Sequence, residues 1–139
     1  MTVRLRPHHL LCVLTYVGAG YTPAFTANMD RVVGRLSRRE PVRIVAGPDD
    51  ICVPLSSDPS AHCHGPRVRT RDRRAARDGT RHLGHPIVPG ATFTLDAATL
   101  ARLRRSFARG RVRSACTGCP WSALCTSVSR RAYPGTRLS

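Results

Sequence analysis

The sequence predicts a small, helix-rich α+β domain with one or two short strands and long loops that carry the cysteines. Three observations support this prediction. The chain of 139 residues is 41% apolar, enough to bury one core, so residues 1–139 are expected to form a single domain. Apolar residues recur at helical spacing in several segments, and one short β-branched stretch alternates apolar and polar residues.

The expected helices begin at recognisable residues. Pro7 suits the first position of a helix, and the apolar run that follows it ends at the tripeptide GAG. A second helix is expected to begin at Thr22, whose side chain can cap it, and it keeps helical spacing of apolar residues as far as Leu36. Asp96 is the expected cap of a further helix that ends at Gly110.

The remaining segments are shorter or less regular. Residues 42–46, VRIVA, predict a strand, and FTL at 93–95 predicts a second, very short one. Residues 51–66 are rich in Pro and Ser and predict an irregular loop, whereas 67–77 predict a charged helix. From about residue 126 we expect a basic C-terminal tail.

The charge balance is strongly basic. There are 23 arginines, no lysine and 8 acidic residues, which gives a net charge of +15. This surplus favours an anionic partner: nucleic acid, a phosphate-bearing ligand or an acidic protein. Contact with nucleic acid through Arg73, Arg74 and Arg77 would be salt-sensitive and independent of sequence. The alternative for these arginines is a solvated helix face with local ion pairs.

The N-terminus differs from a secretory signal, because Pro7 and two histidines stand where an apolar core should begin. No apolar run approaches the roughly 20 residues of a membrane span. We therefore expect a cytoplasmic protein without a membrane segment. In that compartment, clustered cysteines are more often metal ligands or redox groups than disulfides.

Half of the six cysteines lie in the stretch CTGCPWSALC. Cys116 and Cys119 are two residues apart, so that both thiolates of a turn can reach one metal. Thiolates from a distant segment would complete a tetrahedral zinc site or hold an iron–sulfur cluster. The ligands we expect are Cys52, Cys63, Cys116 and Cys119, with Cys125 as the substitute. A thioredoxin-like redox pair and buried, inert thiols are the alternatives.

Two histidines, one more cysteine and two aspartates are expected beside the metal site. His8 and Cys12 are four residues apart and share a helix face, while His9 points about 100° away. His8 and Cys12 would bind metal or donate to cluster sulfurs. The alternative is that Cys12 is inert and that the histidines cap and pack the helix end. Of Asp49 and Asp50, one would bind turn amides and the other would orient a histidine.

The sequence also resembles a known family, the bacterial and archaeal domain of unknown function 1284, over nearly the whole chain in order. The blocks that carry the resemblance are RPHHLLC at 6–12, GYTPAFTANMDRVVGRL at 20–36, GPDDIC at 47–52 and CTGCPW at 116–121. Membership would imply an iron–sulfur-binding protein with no assigned reaction.

The chain departs from the family pattern at two places. Members usually carry a second cysteine where this chain has Leu55, and their last cysteine lies further beyond the C-x-x-C than Cys125 does. A reduced ligand set or loss of the cluster would follow. His62 and His64 flank Cys63 and could replace a missing thiolate, although exposed loop histidines are the expected alternative.

Taken together, these patterns predict a small metal–thiolate protein that binds an iron–sulfur cluster and acts in electron transfer or in a response to redox state or metal. Its partner would be a redox protein of unknown identity or an acidic protein. A zinc-stabilised, basic nucleic-acid-binding module is the alternative function. No substrate site is recognisable, so the sequence assigns no enzymatic reaction.

Overall fold

Five α-helices pack around a three-stranded sheet in the part of the chain that the structure describes, residues 2–20, 22–55 and 66–139 of a computed structural model. In chain order the elements are β1 (Val3–Leu5), α1 (Pro7–Thr15), α2 (Pro23–Ser37), β2 (Val42–Ile44), α3 (Pro66–Leu83), β3 (Thr92–Phe93), α4 (Ala97–Ala108) and α5 (Ser122–Arg130). Short 3-10 turns lie at Val53–Leu55 and Ser114–Cys116. The predicted helix-rich α+β class is confirmed.

The sheet has the strand order β1-β2-β3. β1 and β2 are parallel, with Val3 opposite Val42, and β3 is antiparallel to β2, with Phe93 opposite Val42. In β1 and β2 a buried, an exposed and a buried residue follow one another, so one face of these strands packs against the helices. The sequence does not predict β1, because its three residues are too few to show an alternation of apolar and polar residues.

The expected starts of three helices are confirmed. Pro7 is the first residue of α1. The side chain of Thr22 accepts a hydrogen bond from the N–H of Phe25 (3.0 Å), and Asp96 accepts one from the N–H of Thr99 (2.8 Å). Each cap satisfies an amide that has no partner within its own helix, and this fixes where α2 and α4 begin.

The central element of the domain is α1, which contacts α3, α4 and α5. Its residues Leu10, Val13 and Leu14 are at most 1% exposed. Its apolar sequence therefore reflects packing against three neighbouring helices. Within the described ranges, no helix is both long enough and apolar enough to cross a lipid bilayer.

Two segments differ from the expectation. α3 extends to Leu83, past the predicted end at Arg77. The predicted tail from about residue 126 overlaps α5, and the residues after α5 are packed: Leu138 is 1% exposed, and the hydroxyl of Tyr133 donates to the carbonyl of Arg104 on α4. The density of arginines near the C-terminus suggests a solvated segment, whereas Val128 and Leu138 in it are buried.

Leu103, which is fully buried on α4, gives a test of this packing. Leu103→Ala leaves a cavity, so we expect the free energy of unfolding to fall by about 2–5 kcal/mol. Leu124→Ala is the matched control, because Leu124 is 38% exposed and its truncation should cost about 1 kcal/mol or less. Urea unfolding followed by circular dichroism measures both. Equal losses in the two variants would contradict the placement of α4 in the core.

Candidate metal centre

A cavity of about 130 Å³ lies where α1 meets the C-terminal segment. Four of the residues that line it are cysteines: Cys12 on α1, and Cys116, Cys119 and Cys125 from the second 3-10 turn to α5. The remaining wall is largely apolar and includes Leu11, Phe25, Met29, Phe107 and Trp121. All five cysteines in the described ranges are free thiols. The fold therefore brings Cys12 and the three C-terminal thiols to one partly open cavity.

A tight turn and a helix position the three C-terminal thiols. The N–H of Cys119 donates to the carbonyl of Cys116 (3.0 Å), and Gly118 between them has a φ of +74°. Glycine adopts this left-handed backbone without steric cost, which allows the chain to turn between the two thiols. Cys125 lies in the first turns of α5, where the hydroxyl of Thr15 on α1 donates to its Sγ (3.0 Å).

Three of the thiols are partly buried, and their pKa values are raised. Burial raises the pKa of Cys12 well above its ordinary value, and the neighbouring thiols of the C-terminal segment raise it further. Burial also raises the pKa of Cys116 and of Cys125. A metal bound here would take the place of the thiol protons, so that binding would release protons and become tighter as the pH rises.

His8 and His9 line the same cavity, and a carboxylate holds each ring. Nδ1 of His8 lies 2.6 Å from Oδ1 of Asp72, and Nδ1 of His9 lies 2.7 Å from Oδ2 of Asp49. The two ring centroids are 4.2 Å apart. Among the described residues, neither Nε2 atom has a hydrogen-bond partner. With Nδ1–H donating to the carboxylate, Nε2 carries the lone pair of each ring, and both rings line the cavity.

Burial, reinforced by the nearby ring of His9, lowers the pKa of His8 to about 4, even though Asp72 favours the charged form. His8 is therefore neutral at neutral pH. A neutral imidazole with a free Nε2 is the form that binds metals.

Arg6 and Asp72 hold these histidines in place, and neither residue was predicted from the sequence. Arg6 is 1% exposed, and its Nε donates to Oδ2 of Asp72 (2.9 Å). Its own backbone N–H donates to Oδ2 of Asp49 (2.7 Å). A signal for Asp72 was present, because it continues the stripe of Val68 and Ala75 on the buried face of an otherwise charged helix.

A second group of possible ligands lies beside the cavity, where atoms of His9, Asp49 and Cys52 are all within 4.8 Å of one another. Each oxygen of the Asp49 carboxylate already accepts two hydrogen bonds. Its Oδ1 accepts from the N–H groups of Ile51 and Cys52, and its Oδ2 accepts from Arg6 and His9. The Arg6 guanidinium also interacts with Cys52. A cation would compete with all of these bonds, so this group serves to hold His9 in place.

The structure brings together only part of the expected ligand set. Cys116, Cys119 and Cys125 line the cavity, and Cys12 joins them. Cys52 instead contacts Arg6 and Asp49 and does not line the cavity. Cys63 falls outside the described residues, as do the two histidines that flank it.

Asp49 both binds turn amides and orients His9, the two roles that were expected to be divided between Asp49 and Asp50. Asp50 is placed elsewhere: its Oδ2 accepts from the N–H of Arg4 (2.8 Å) and lies 3.8 Å from Nη1 of Arg35. Asp50 therefore anchors β1 rather than a histidine.

The three arginines expected to bind polyanions are exposed on α3. Arg77 donates to the hydroxyl of Ser114 (3.3 Å) and Arg74 to its carbonyl (3.4 Å), while Arg73 donates to Thr70 (3.1 Å). These contacts occupy part of each guanidinium and leave the rest facing solvent.

The low pKa of His8 predicts a pH dependence for the metal-free protein. Between pH 6.5 and about 4 the unfolded chain binds a proton that the folded protein excludes, so the free energy of unfolding should fall as the pH falls through this range. Urea unfolding between about pH 7 and 5 measures the slope. His8→Gln should flatten it, whereas His82→Gln, outside the cavity, should keep it. An undiminished slope in His8→Gln would contradict the burial of a neutral His8.

Comparison with known proteins gives one match. The family model "Protein of unknown function (DUF1284)" matches residues 20–125. The matched segment contains Asp49, Asp72 and the three C-terminal thiols of the cavity, and it begins after α1. No curated protein and no solved structure matches the chain. Because the match covers well over half of its length, the chain belongs to the DUF1284 family of proteins of unknown function.

Proposed function

We propose that this protein binds an iron–sulfur cluster in the thiol-lined cavity, held between the C-terminal thiolates and a ligand from α1. The observation that supports this most strongly is the convergence of Cys116, Cys119 and Cys125 with one face of α1 on a single cavity. Thiolates are the ligands that iron–sulfur clusters require. The established class of the protein, a small α+β domain with free thiols, is compatible with this function.

The spacing of the thiols favours a cluster over a single zinc ion. Four sulfur ligands at about 2.3 Å from a tetrahedral zinc lie about 3.8 Å from each other. Among the described residues, His9, Asp49 and Cys52 form the one group of three ligand atoms within 4.8 Å of each other, so no three of the cavity thiols approach so closely. A cluster places several iron and sulfide ions between its ligands, and it would use the open volume of the cavity.

The surroundings of the thiols suit an anionic centre. Arg113 lies beside Cys116 and acts against burial to lower its pKa. In the described part of the chain, the Nε of Arg113 is a buried donor without a hydrogen-bond partner, so it is available to a thiolate or to a cluster sulfur. Phe25 and Trp121 on the cavity wall would restrict access of water.

Electron transfer is the function that such a centre would serve here. No group outside the cavity, within the described ranges, forms a recognisable substrate site, so we assign no enzymatic reaction. A net charge of +15 suits a transient complex with an acidic redox protein. Free thiol ligands persist best in a reducing compartment, and we therefore propose a cytoplasmic location.

The proposal predicts that protein purified without oxygen is brown and contains iron and acid-labile sulfide. Cys116→Ser and Cys119→Ser should each lose most of the iron, because each removes a thiolate from the cavity wall. Cys52→Ser is the matched control and should keep its iron, because that thiol lies outside the cavity. Iron, sulfide and the visible spectrum are measured per mole of folded protein, with folding checked by circular dichroism.

Two outcomes would contradict this ligand set. Loss of iron in Cys52→Ser together with retention in Cys116→Ser would favour a site built around Cys52. A colourless protein that contains stoichiometric zinc would favour the zinc-stabilised alternative over the cluster.

A second candidate function, polyanion binding, is favoured by the orientation of the acidic residues of α3. Asp72 binds Arg6 and His8, and Asp78, which is 8% exposed, accepts from the N–H and hydroxyl of Ser114. Both carboxylates are largely buried, and although Asp78 also pairs with Arg77 (3.6 Å between Oδ1 and Nε), the outward face of α3 presents an excess of arginines. Such a surface attracts phosphate backbones without reading base sequence.

If α3 binds nucleic acid, replacing Arg73, Arg74 and Arg77 together by Gln should weaken binding to unrelated DNA duplexes equally. The slope of log K against log salt should flatten by up to about 0.9 for each phosphate that the variant no longer neutralises. Replacement of the exposed Arg102, Arg105 and Arg109, on α4 and at its C-terminal end, by Gln is the charge-matched control and should have a smaller effect. Fluorescence anisotropy at several salt concentrations measures both. Equal weakening by the two triple variants would mean that only the net charge matters.

A further inference from the structure

We propose that the ligand from α1 is the Nε2 atom of His8, so that the centre is a mixed imidazole–thiolate centre in which Cys12 is dispensable. The inference deepens the proposed function, because it rests on the binding of an iron–sulfur cluster in the same cavity. The juxtaposition that carries it is a histidine fixed by a carboxylate at Nδ1, whose Nε2 has no partner among the described residues and shares a cavity with three thiols.

The attachment of His8 is the arrangement found around metal-binding histidines. Oδ1 of Asp72 contacts Nδ1 of His8 at 2.6 Å and accepts from its backbone N–H at 3.2 Å, while Oδ2 is held by Arg6. A carboxylate in this position fixes the tautomer and the ring orientation and raises the basicity of the other nitrogen. A histidine that only capped the helix would not need a carboxylate to fix its ring beside a cavity that thiols line.

Helix geometry distinguishes His8 from its neighbour. His8 lies one turn from Cys12, on the helix face that meets the C-terminal segment, whereas His9 is rotated by about 100° around the axis of α1. The ring of His9 is bound to Asp49, whose other oxygen accepts from the N–H of Cys52. His9 is therefore placed to pack against the ring of His8, with the two centroids 4.2 Å apart.

The charge of the cavity also favours a nitrogen ligand. Cys116, Cys119 and Cys125 would bring three negative charges to the cavity, and the carboxylates of Asp49 and Asp72 hold the two histidines that line it. A fourth thiolate from Cys12 would add a further negative charge, whereas the cations nearest the thiols are Arg71 and Arg113. A neutral imidazole coordinates without adding charge.

The identity of this ligand determines what the centre can do. Replacement of thiolate by imidazole makes an iron–sulfur centre less electron-rich and raises its reduction potential. The mixed centre would therefore accept electrons from donors that an all-thiolate centre could not oxidise. The expected partner is a protein that has an acidic surface and is a mild, rather than a strong, reductant.

Pulsed EPR of the anaerobically purified, dithionite-reduced protein tests the inference, because a directly bound imidazole gives strong nitrogen hyperfine coupling. The wild-type protein should show this coupling, and labelling with 15N-histidine should change it. His8→Gln should abolish it or lose the cluster, while His9→Gln should retain both. Cys12→Ser should keep both iron content and nitrogen coupling. Asp72→Asn, which removes the negative charge from the group that orients His8 and pairs with Arg6, should weaken the coupling or shift the reduction potential.

The outcomes separate this inference from the function on which it rests. A reduced cluster with no directly bound nitrogen, or iron lost in Cys12→Ser but kept in His8→Gln, would overturn the role of His8 and leave the cluster in place. Protein that takes up no iron and sulfide when reconstituted anaerobically would overturn the cluster and the His8 ligand together. Circular dichroism and urea unfolding of each metal-free variant exclude misfolding as the cause of any decrease.

Discussion

The arrangement of the cavity depends on one buried guanidinium. Arg6 stands between β1 and α1, is 1% exposed, and is bound to Asp72 of α3 through its side chain and to Asp49 through its backbone. A charge buried this deeply is tolerated only with its partners in place, and removing one partner of such a pair costs about 3–5 kcal/mol. The two carboxylates that Arg6 fixes are the ones that hold His8 and His9. The position of His8 thus depends on the pairing of one buried guanidinium, and that of His9 depends on the backbone N–H of the same residue.

α1 combines two demands that are usually met by separate elements. Its first turn carries the rings of His8 and His9. Its remaining residues, such as Leu10, Val13 and Leu14, fill the centre of the domain. Because the helix is rigid and packed on three neighbours, its first turn cannot shift without disturbing the core. This coupling supplies the precision that a metal-binding side chain needs, and it makes core substitutions in α1 unsuitable as neutral controls.

Local signals in the sequence predicted the features that local interactions determine. The caps at Thr22 and Asp96, the start at Pro7 and the turn at Cys116 all depend on residues within three or four positions. Contacts between distant segments were not predictable in the same way. The sequence suggested Cys52 as the partner of the C-terminal turn, whereas the fold places Cys12 opposite it, because helix packing decides which thiols meet. Asp72 was not singled out, since its arginine neighbours outnumber the apolar stripe on which it lies.

The cavity draws its thiols from residue 12 and from residues 116–125, and Thr15 reaches Cys125 across 110 positions. A chain that leaves the ribosome N-terminus first exposes the apolar surface of α1 long before the helix that covers its thiol has been made. The site therefore cannot assemble until the residues as far as Cys125 have left the ribosome. Until then the thiols are not yet gathered in one cavity, and each is open to oxidation.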